Sequence, residues 1–122
     1  MGFFDGLFGP RVESISSKKA YERLQEDPRV LIVDVRQPHE TRSAVVAGAA
    51  LIPLTELGGR MDELPRDRPL LVICRSGHRS SIAARQLKKA GYEVTDVSGG
   101  MSAWLRHGLP VVPPGKGGAG MG

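Results

Sequence analysis

Residues 70–88 of this chain read Leu-Leu-Val-Ile-Cys-Arg-Ser-Gly-His-Arg-Ser-Ser-Ile-Ala-Ala-Arg-Gln-Leu-Lys. The apolar run from Leu70 to Ile73 is typical of a strand that is covered on both faces. Gly77 allows the tight turn that follows. The apolar spacing beyond it predicts a helix over residues 80–90, ended by Gly91. We expect four residues of this helix to face inward: Ile82, Ala83, Leu87 and Ala90.

The same alternation of strand and helix continues on both sides of this stretch. Further strands are predicted over residues 12–16, 30–33, 50–52 and 94–97. Further helices are predicted over 18–25, 38–43, 57–64 and 101–107, with Thr55 capping the third of them. Strands that alternate with helices indicate an α/β protein whose parallel sheet has helices on both faces.

Cys74 closes the central strand and opens a short cationic loop. A thiol in this place faces backbone N–H groups, the positive end of a helix and the guanidinium groups of Arg75 and Arg79. All three favour the thiolate over the thiol. The alternative is a buried cysteine that acts only as a small apolar residue.

Composition limits the classes of function that the chain can have. The chain has 122 residues, a net charge of +4 and six aromatic residues. These values predict one globular domain without a nucleic-acid interface. A single cysteine excludes an intramolecular disulfide and a cysteine-rich zinc site. His39, His78 and His107 lack metal-ligand spacing, so we expect neither a metal nor a cofactor. A reactive thiol fits a reducing, cytoplasmic compartment.

The two ends of the chain differ from its middle. Residues 1–11 form an apolar extension that lacks the charged region of a signal peptide, and residues 113–122 form a tail rich in glycine and proline. We expect the tail to be disordered. No apolar run is long enough to be a transmembrane segment.

Two predicted strands bring polar residues to the same edge of the sheet. Asp34 and Arg36 end one strand and Cys74 ends another, and ligands of parallel sheets bind beyond such carboxyl ends. Arg36 either binds substrate or forms a structural ion pair, with Glu40 as a partner. Asp34 is more often structural in such a place. His78 is either a general base or, as its place in a tight loop favours, a ring that points away from the sulfur.

Several motifs in a fixed order resemble those of the single-domain rhodaneses, the thiosulfate sulfurtransferase-like family. The resemblance covers residues 12–112, and its pieces are residues 34–40, 48–53, 71–80, 84–91, 99–104 and 108–111. It implies a three-layer fold in which helices flank a five-stranded parallel sheet. One piece departs from the pattern, because Ala44-Val45-Val46-Ala47 stands where many members carry Gly-His-Ile-Pro. We expect altered packing there, and a partner surface or a hydrophobic patch remains an alternative.

The resemblance also implies a reaction. Cys74 would take the outer sulfur of thiosulfate, or of a persulfide donor, and pass it to cyanide, a thiol or a protein acceptor. The donor is thus a small anionic sulfur compound. The loop and one strand end would hold the substrate, with these residues: Arg36, Arg75, Ser76, Gly77, His78, Arg79 and Ser80.

Two other functions remain as alternatives. Cysteine-dependent phosphatases need an arginine six positions after the nucleophile, and this chain has Ser80 there with Arg79 one position early. Such a loop should be too tight for phosphate, which makes a phosphatase or an arsenate reductase less favoured. The second alternative is a non-catalytic binding or sulfur-relay module, which the retained cysteine and basic loop argue against.

Overall fold

Five strands form one parallel sheet in the computed structural model, which describes residues 11–115. In chain order they are β1 (Glu13–Ile15), β2 (Leu31–Asp34), β3 (Ala50–Leu51), β4 (Leu70–Ile73) and β5 (Val94–Val97). The order across the sheet is β1-β5-β4-β2-β3, and neighbouring strands are parallel. The α/β class and the five-stranded parallel sheet are therefore confirmed.

Five α-helices in the described part of the chain flank this sheet. They are α1 (Ser17–Glu26), α2 (Pro38–Thr41), α3 (Leu54–Arg60), α4 (His78–Lys89) and α5 (Gly100–Arg106), and a 3-10 turn (Met61–Glu63) extends α3. The core on one face of the sheet includes Leu57 of α3 and Leu87 of α4. The core on the other face includes Ala20 of α1 and Trp104 of α5. None of the described helices is long and apolar enough to cross a membrane.

The alternation of side chains along β4 decides where Cys74 lies. Leu70 and Val72 belong to the core under α4, whereas Leu71 and Ile73 belong to the core under α1 and α5. Because successive side chains of a strand point to opposite faces, Cys74 follows Leu70 and Val72 to the α4 face.

The structure corrects two local predictions. Thr55 does not cap α3, because the helix begins at Leu54 after Pro53, and the Thr55 hydroxyl instead accepts a hydrogen bond from Gln37 at 3.2 Å. Ile82 does not face inward and is 39% exposed. The buried stripe of α4 runs through Ser80, Ala83, Ala84 and Leu87, and Ile82 lies off this stripe. The predictions for residues 1–10 and 116–122 lie outside the described residues.

The segment that departs from the family pattern is packed into the core. Val45 and Val46 are 1% and 4% exposed, so the valines do not form a hydrophobic surface patch. Val45 exchanges two backbone hydrogen bonds of 2.8 Å with Val112 in an antiparallel bridge. These backbone bonds join the C-terminal part of the domain to the segment that precedes β3.

Gly100 lets α5 approach the loop that follows Cys74. A Cβ atom on Gly100 would lie against the carbonyl oxygen of Cys74 and within 2.6 Å of the carbonyl carbon of Arg75. The residue also has a φ of +55°, which disfavours any side chain. The loop and the start of α5 can therefore be this close only with glycine at this position.

We predict that Gly100→Ala destabilises the protein by more than backbone strain alone, because a methyl group would collide with a backbone that cannot move freely. Gly108→Ala is the matched control, since Gly108 has a φ of +69° and a Cβ atom added there would meet nothing within 4 Å. Urea unfolding should show a loss of about 1–2 kcal/mol for Gly108→Ala and a clearly larger loss for Gly100→Ala. Equal losses would contradict the close approach.

Candidate active site

Cys74 lies at the carboxyl end of β4 and is 1% exposed. The backbone N–H of Gly77 donates a hydrogen bond to its Sγ at 3.1 Å. Gly77 has a φ of +106°, in the left-handed region that glycine adopts readily, and this conformation closes the turn over the sulfur. A hydrogen bond from an N–H group favours negative charge on a sulfur atom. The sequence predicts several such donors around Cys74, and the structure describes this contact for Gly77.

The ends of two helices meet at this loop. The twelve-residue α4 begins at His78, directly after Gly77, so its N-terminal positive potential lies beside the sulfur. The first N–H groups of α5 hold the loop from the other side. Met101 donates to the carbonyl of Cys74 at 2.8 Å, and Ser102 donates to the carbonyl of Arg75 at 2.9 Å. The backbone around the cysteine is thus fixed at both carbonyls.

A buried polar chain runs from the sulfur into the sheet. Cys74 Sγ lies 3.4 Å from Ser80 Oγ, and Ser80 Oγ donates to Asp96 Oδ1 at 2.5 Å. Ser80 is fully buried and Asp96 is 7% exposed. Burial raises the pKa of Asp96 above the ordinary range, while the hydrogen bond from Ser80 and the charge of Arg85 act in the opposite direction.

Sequence reasoning missed Asp96. It lies inside the predicted strand Val94-Thr95-Asp96-Val97, and a carboxylate in the middle of a buried strand is uncommon without a partner. This carboxylate inside a predicted strand was the signal from which Asp96 could have been found. What the sequence could not show is that the partner comes from Ser80, sixteen residues earlier.

Arg79 is held by Glu40 rather than standing alone at the mouth of the loop. Its two terminal nitrogens donate to the two carboxylate oxygens at 2.6 and 2.7 Å. The hydrogen bonds from Arg79 lower the pKa of Glu40 to about 2, and the Gln37 N–H, 2.9 Å from Glu40 Oε1, contributes in the same direction. This bidentate pair ties the start of α4 to α2.

Arg36 forms an ion pair, which is the contact that one of the two sequence interpretations predicted. Its guanidinium forms a buried ion pair with Asp34 at 2.8 Å, and the two side chains are 7% and 0% exposed. The remaining donors reach the backbone carbonyls of Glu40 and Ala44 at 3.1 and 2.9 Å. Its partner carboxylate is therefore Asp34 and not Glu40, and these contacts hold the guanidinium at the rim.

A cleft of about 340 Å³ lies at this edge of the sheet. It is lined by these residues: Arg36, His39, Glu40, Ser43, Arg75, Met101, Ser102 and Leu105. Arg75, Ser76 and His78 are exposed on the loop beside it. Arg75 thus brings an accessible guanidinium to the cleft, while the hydrogen-bond partners described for the sulfur are Gly77 and Ser80 and not His78. Within residues 11–115, no group of three His, Cys, Asp or Glu residues is arranged for a metal ion.

Fold and site together define a class of protein. It is a single parallel α/β domain that carries one buried cysteine on a loop between the central strand and the helix that follows. Within that class, residues 17–107 match the rhodanese-like domain family. The chain belongs to this family of sulfurtransferases, and the resemblance found in the sequence is confirmed.

Individual relatives agree with this assignment. A sulfurtransferase of Allochromatium vinosum is 40% identical over 104 residues, which cover 84% of this chain and 97% of that protein. A putative sulfurtransferase of Bacillus subtilis, YtwF, is 30% identical over 93 residues, or 76% of this chain and 90% of the relative. Among solved structures, a rhodanese-related protein from Thermoplasma volcanium superposes with a TM-score of 0.77 at 35% identity, covering 82% of this chain and 97% of the other.

We predict that Glu40→Gln destabilises the protein at neutral pH by about 1–3 kcal/mol, because one charged partner of a half-buried pair is lost. Since folding lowers the pKa of Glu40, its stabilising effect is complete above the unfolded value of about 4.3 and disappears as the pH falls towards 2. The difference between wild type and variant in urea unfolding should therefore shrink between these two pH values.

Glu63→Gln provides the control for this prediction. Glu63 also pairs with an arginine, Arg60, at 2.9 Å, but its side chain is 43% exposed. Exposed pairs contribute little, so this variant should unfold almost like the wild type. If Glu40→Gln loses no more stability than Glu63→Gln does, the pair between Glu40 and Arg79 does not secure the loop.

Proposed function

We propose that this protein transfers sulfane sulfur from thiosulfate, or from a persulfide donor, to a thiophilic acceptor such as cyanide or a thiol, by way of a persulfide on Cys74. The observation that carries the proposal is the buried sulfur of Cys74, which accepts the Gly77 N–H at 3.1 Å at the N-terminus of α4. A sulfur in that place is stabilised as an anion, and an anion is the nucleophilic form of cysteine.

In the first half-reaction the Cys74 sulfur attacks the outer sulfur of thiosulfate. A new sulfur–sulfur bond forms, the old one breaks, and sulfite leaves with the bonding electron pair. In the second half-reaction the acceptor attacks the outer sulfur of the persulfide, and Cys74 leaves as the thiolate. One covalent intermediate links the two halves, so ping-pong kinetics are expected.

The residues around Cys74 divide between contact with substrate and support of the loop. Arg75 is exposed at the cleft and supplies positive charge that attracts the anionic donor and the leaving sulfite. Ser76 and His78 are exposed beside it and would contact the part of the donor or acceptor that stays outside the loop. Gly77 and Ser80 reach the sulfur itself.

Arg79 and Arg36 have a different role in this proposal. Their guanidinium groups are paired with Glu40 and Asp34, so each hydrogen-bonds a carboxylate of the rim. They act on the reaction by fixing the loop, and Arg79 in addition places positive charge near the Cys74 sulfur. Because a carboxylate neutralises the charge of each of these guanidinium groups, they attract a distant anion less strongly than the exposed Arg75 does.

The burial of Cys74 favours sulfur transfer over phosphate chemistry. At 1% exposure the sulfur is reached more readily by a slender terminal atom, such as the outer sulfur of thiosulfate, than by a bulky reacting centre. A phosphoester presents a tetrahedral centre surrounded by oxygens, which needs a wider loop. The spacing of Arg79, five residues after Cys74, agrees with the tighter loop.

The test is mass spectrometry of the purified protein after treatment with thiosulfate. We predict a gain of one sulfur atom on the peptide that contains Cys74, its removal by cyanide with release of thiocyanate, and no gain in Cys74→Ser. The serine variant is a matched control, because Cys74 is the only cysteine of the chain. Hydrolysis of a phenyl phosphate ester through Cys74, without persulfide formation, would contradict the proposal.

A further inference from the structure

Behind Cys74, a buried carboxylate lies one hydroxyl group away from the sulfur. We propose that Asp96 accepts, through the hydroxyl of Ser80, the proton that Cys74 gives up when it becomes a nucleophile. Asp96 does not touch the substrate in this proposal and is a positioning residue that acts through Ser80. The inference rests on Cys74 being the nucleophile of the proposed sulfur transfer.

The direction of the hydrogen bonds follows from the distances. A serine hydroxyl has one proton, and Ser80 Oγ has two acceptors near it, Asp96 Oδ1 at 2.5 Å and the carbonyl of Gly77 at 3.3 Å. The shorter contact, to a carboxylate, takes the proton. A lone pair of Ser80 Oγ then remains for the thiol of Cys74 at 3.4 Å. The three groups thus form one directed chain from sulfur to carboxylate.

Every proton that moves along this chain of three groups has a donor and an acceptor. The S–H bond of Cys74 breaks and its proton passes to Ser80 Oγ, while the original hydroxyl proton of Ser80 passes to Asp96 Oδ1. The products are a Cys74 thiolate, which now accepts a hydrogen bond from Ser80, and a neutral Asp96. No oxidant, metal or water is required, and the site carries one negative charge before and after the transfer.

The surroundings of Asp96 suit a carboxyl that holds a proton. It lies in the core face of β5, where its neighbours across the sheet in register are the uncharged Val72 of β4 and Ser14 of β1. The charged side chain that acts on it from α4 is Arg85. The effect of burial exceeds that of Arg85, so the pKa of Asp96 is raised overall. A carboxyl with a raised pKa is a better proton acceptor than an ordinary surface aspartate.

The pH dependence of thiolate formation separates this relay from release of the proton to water. If the Cys74 proton leaves for water, the thiolate fraction rises about tenfold for each pH unit below the thiol pKa. If Asp96 accepts the proton, the proton stays in the protein, so the thiolate fraction is constant over the pH range in which Asp96 and Cys74 share one proton. Asp96→Asn cannot accept the proton and loses this constant range. Alkylation by iodoacetamide reports the thiolate directly, and this uncharged reagent is not attracted or repelled by the changed charge.

We therefore propose to measure alkylation of Cys74 against pH in the wild type, Asp96→Asn and Asp67→Asn. Asp67 is an exposed aspartate in the loop before β4, so its variant is the matched control. In the wild type and in Asp67→Asn the alkylation rate should be constant over a range of mildly acidic pH, whereas in Asp96→Asn it should rise about tenfold per pH unit over the same range. A wild-type rate that rises about tenfold per pH unit throughout, as in Asp96→Asn, would overturn the relay.

A second measurement does not depend on the folding of the Asp96→Asn variant. Carbon-13 NMR of labelled aspartate carboxyls follows the protonation of Asp96 in the wild type and in Cys74→Ser. Two groups that share a proton titrate together, so the Asp96 signal should change in the pH step in which Cys74 becomes reactive to iodoacetamide, and this step should be missing in Cys74→Ser. An Asp96 titration that is the same in the wild type and in Cys74→Ser would overturn the proposal.

These readouts need no sulfur donor, so they are independent of the test of the sulfur transfer. A relay that fails while thiosulfate still loads Cys74 would leave the proposed function intact. Conversely, an intact relay in a protein that forms no persulfide would leave Asp96 as the proton acceptor of a cysteine with another substrate.

Discussion

The site depends on the hydrogen bonds that hold the loop after β4 over a sulfur whose direction the strand has already set. Because side chains alternate along β4, Cys74 points to the α4 face together with Leu70 and Val72. Gly77 closes the turn over that sulfur, and the first N–H groups of α5 fix the carbonyls of Cys74 and Arg75. The N-terminus of α4 lies beside the sulfur because this helix begins at His78, directly after the turn at Gly77. A shift of one residue in the strand would place the cysteine on the other face, away from all of these groups.

Charge around the site is arranged in two layers. The outer layer is Arg75, which is exposed at the cleft and attracts the anionic donor in the proposed function. The inner layer consists of the pairs Arg36–Asp34 and Arg79–Glu40, in which each cation already has a carboxylate. Paired charges that are partly buried give rigid geometry more than they attract ligands from a distance. The basic residues of the loop are therefore divided between an exposed guanidinium at the cleft and one that a carboxylate holds in place.

Local patterns in the sequence were sufficient for the α/β class and for placing Cys74 at the end of a strand. The apolar run from Leu70 to Ile73 predicted β4 and the stretch from Val94 to Val97 predicted β5, both with the bounds that the structure has, and Gly77 predicted the turn. The prediction for α3 was wrong at its start because the backbone N–H of Leu54 is bonded to the carbonyl of Val35, a contact from another element. The prediction that Ile82 faces inward was wrong because several apolar residues of the helix could lie on its buried face, and their spacing alone did not decide among them.

Contacts between distant residues account for what the sequence could not predict about the site. Glu40 meets Arg79 across 39 positions of the chain, and Asp96 meets Ser80 across 16. Both pairs depend on the order of strands in the sheet, which brings β5 and β2 to the two sides of β4. Sequence reasoning could name Arg36 and Arg79 as cations near Cys74, but only the fold shows that carboxylates already hold them.

The central claim is that the Cys74 sulfur carries the transferred atom inside this loop. A crystal structure of the protein after exposure to thiosulfate tests it most directly. The account predicts electron density for one additional sulfur bonded to Cys74 Sγ and enclosed by the backbone of the loop between Arg75 and Ser80. An unmodified cysteine, with thiosulfate bound elsewhere or not at all, would contradict it.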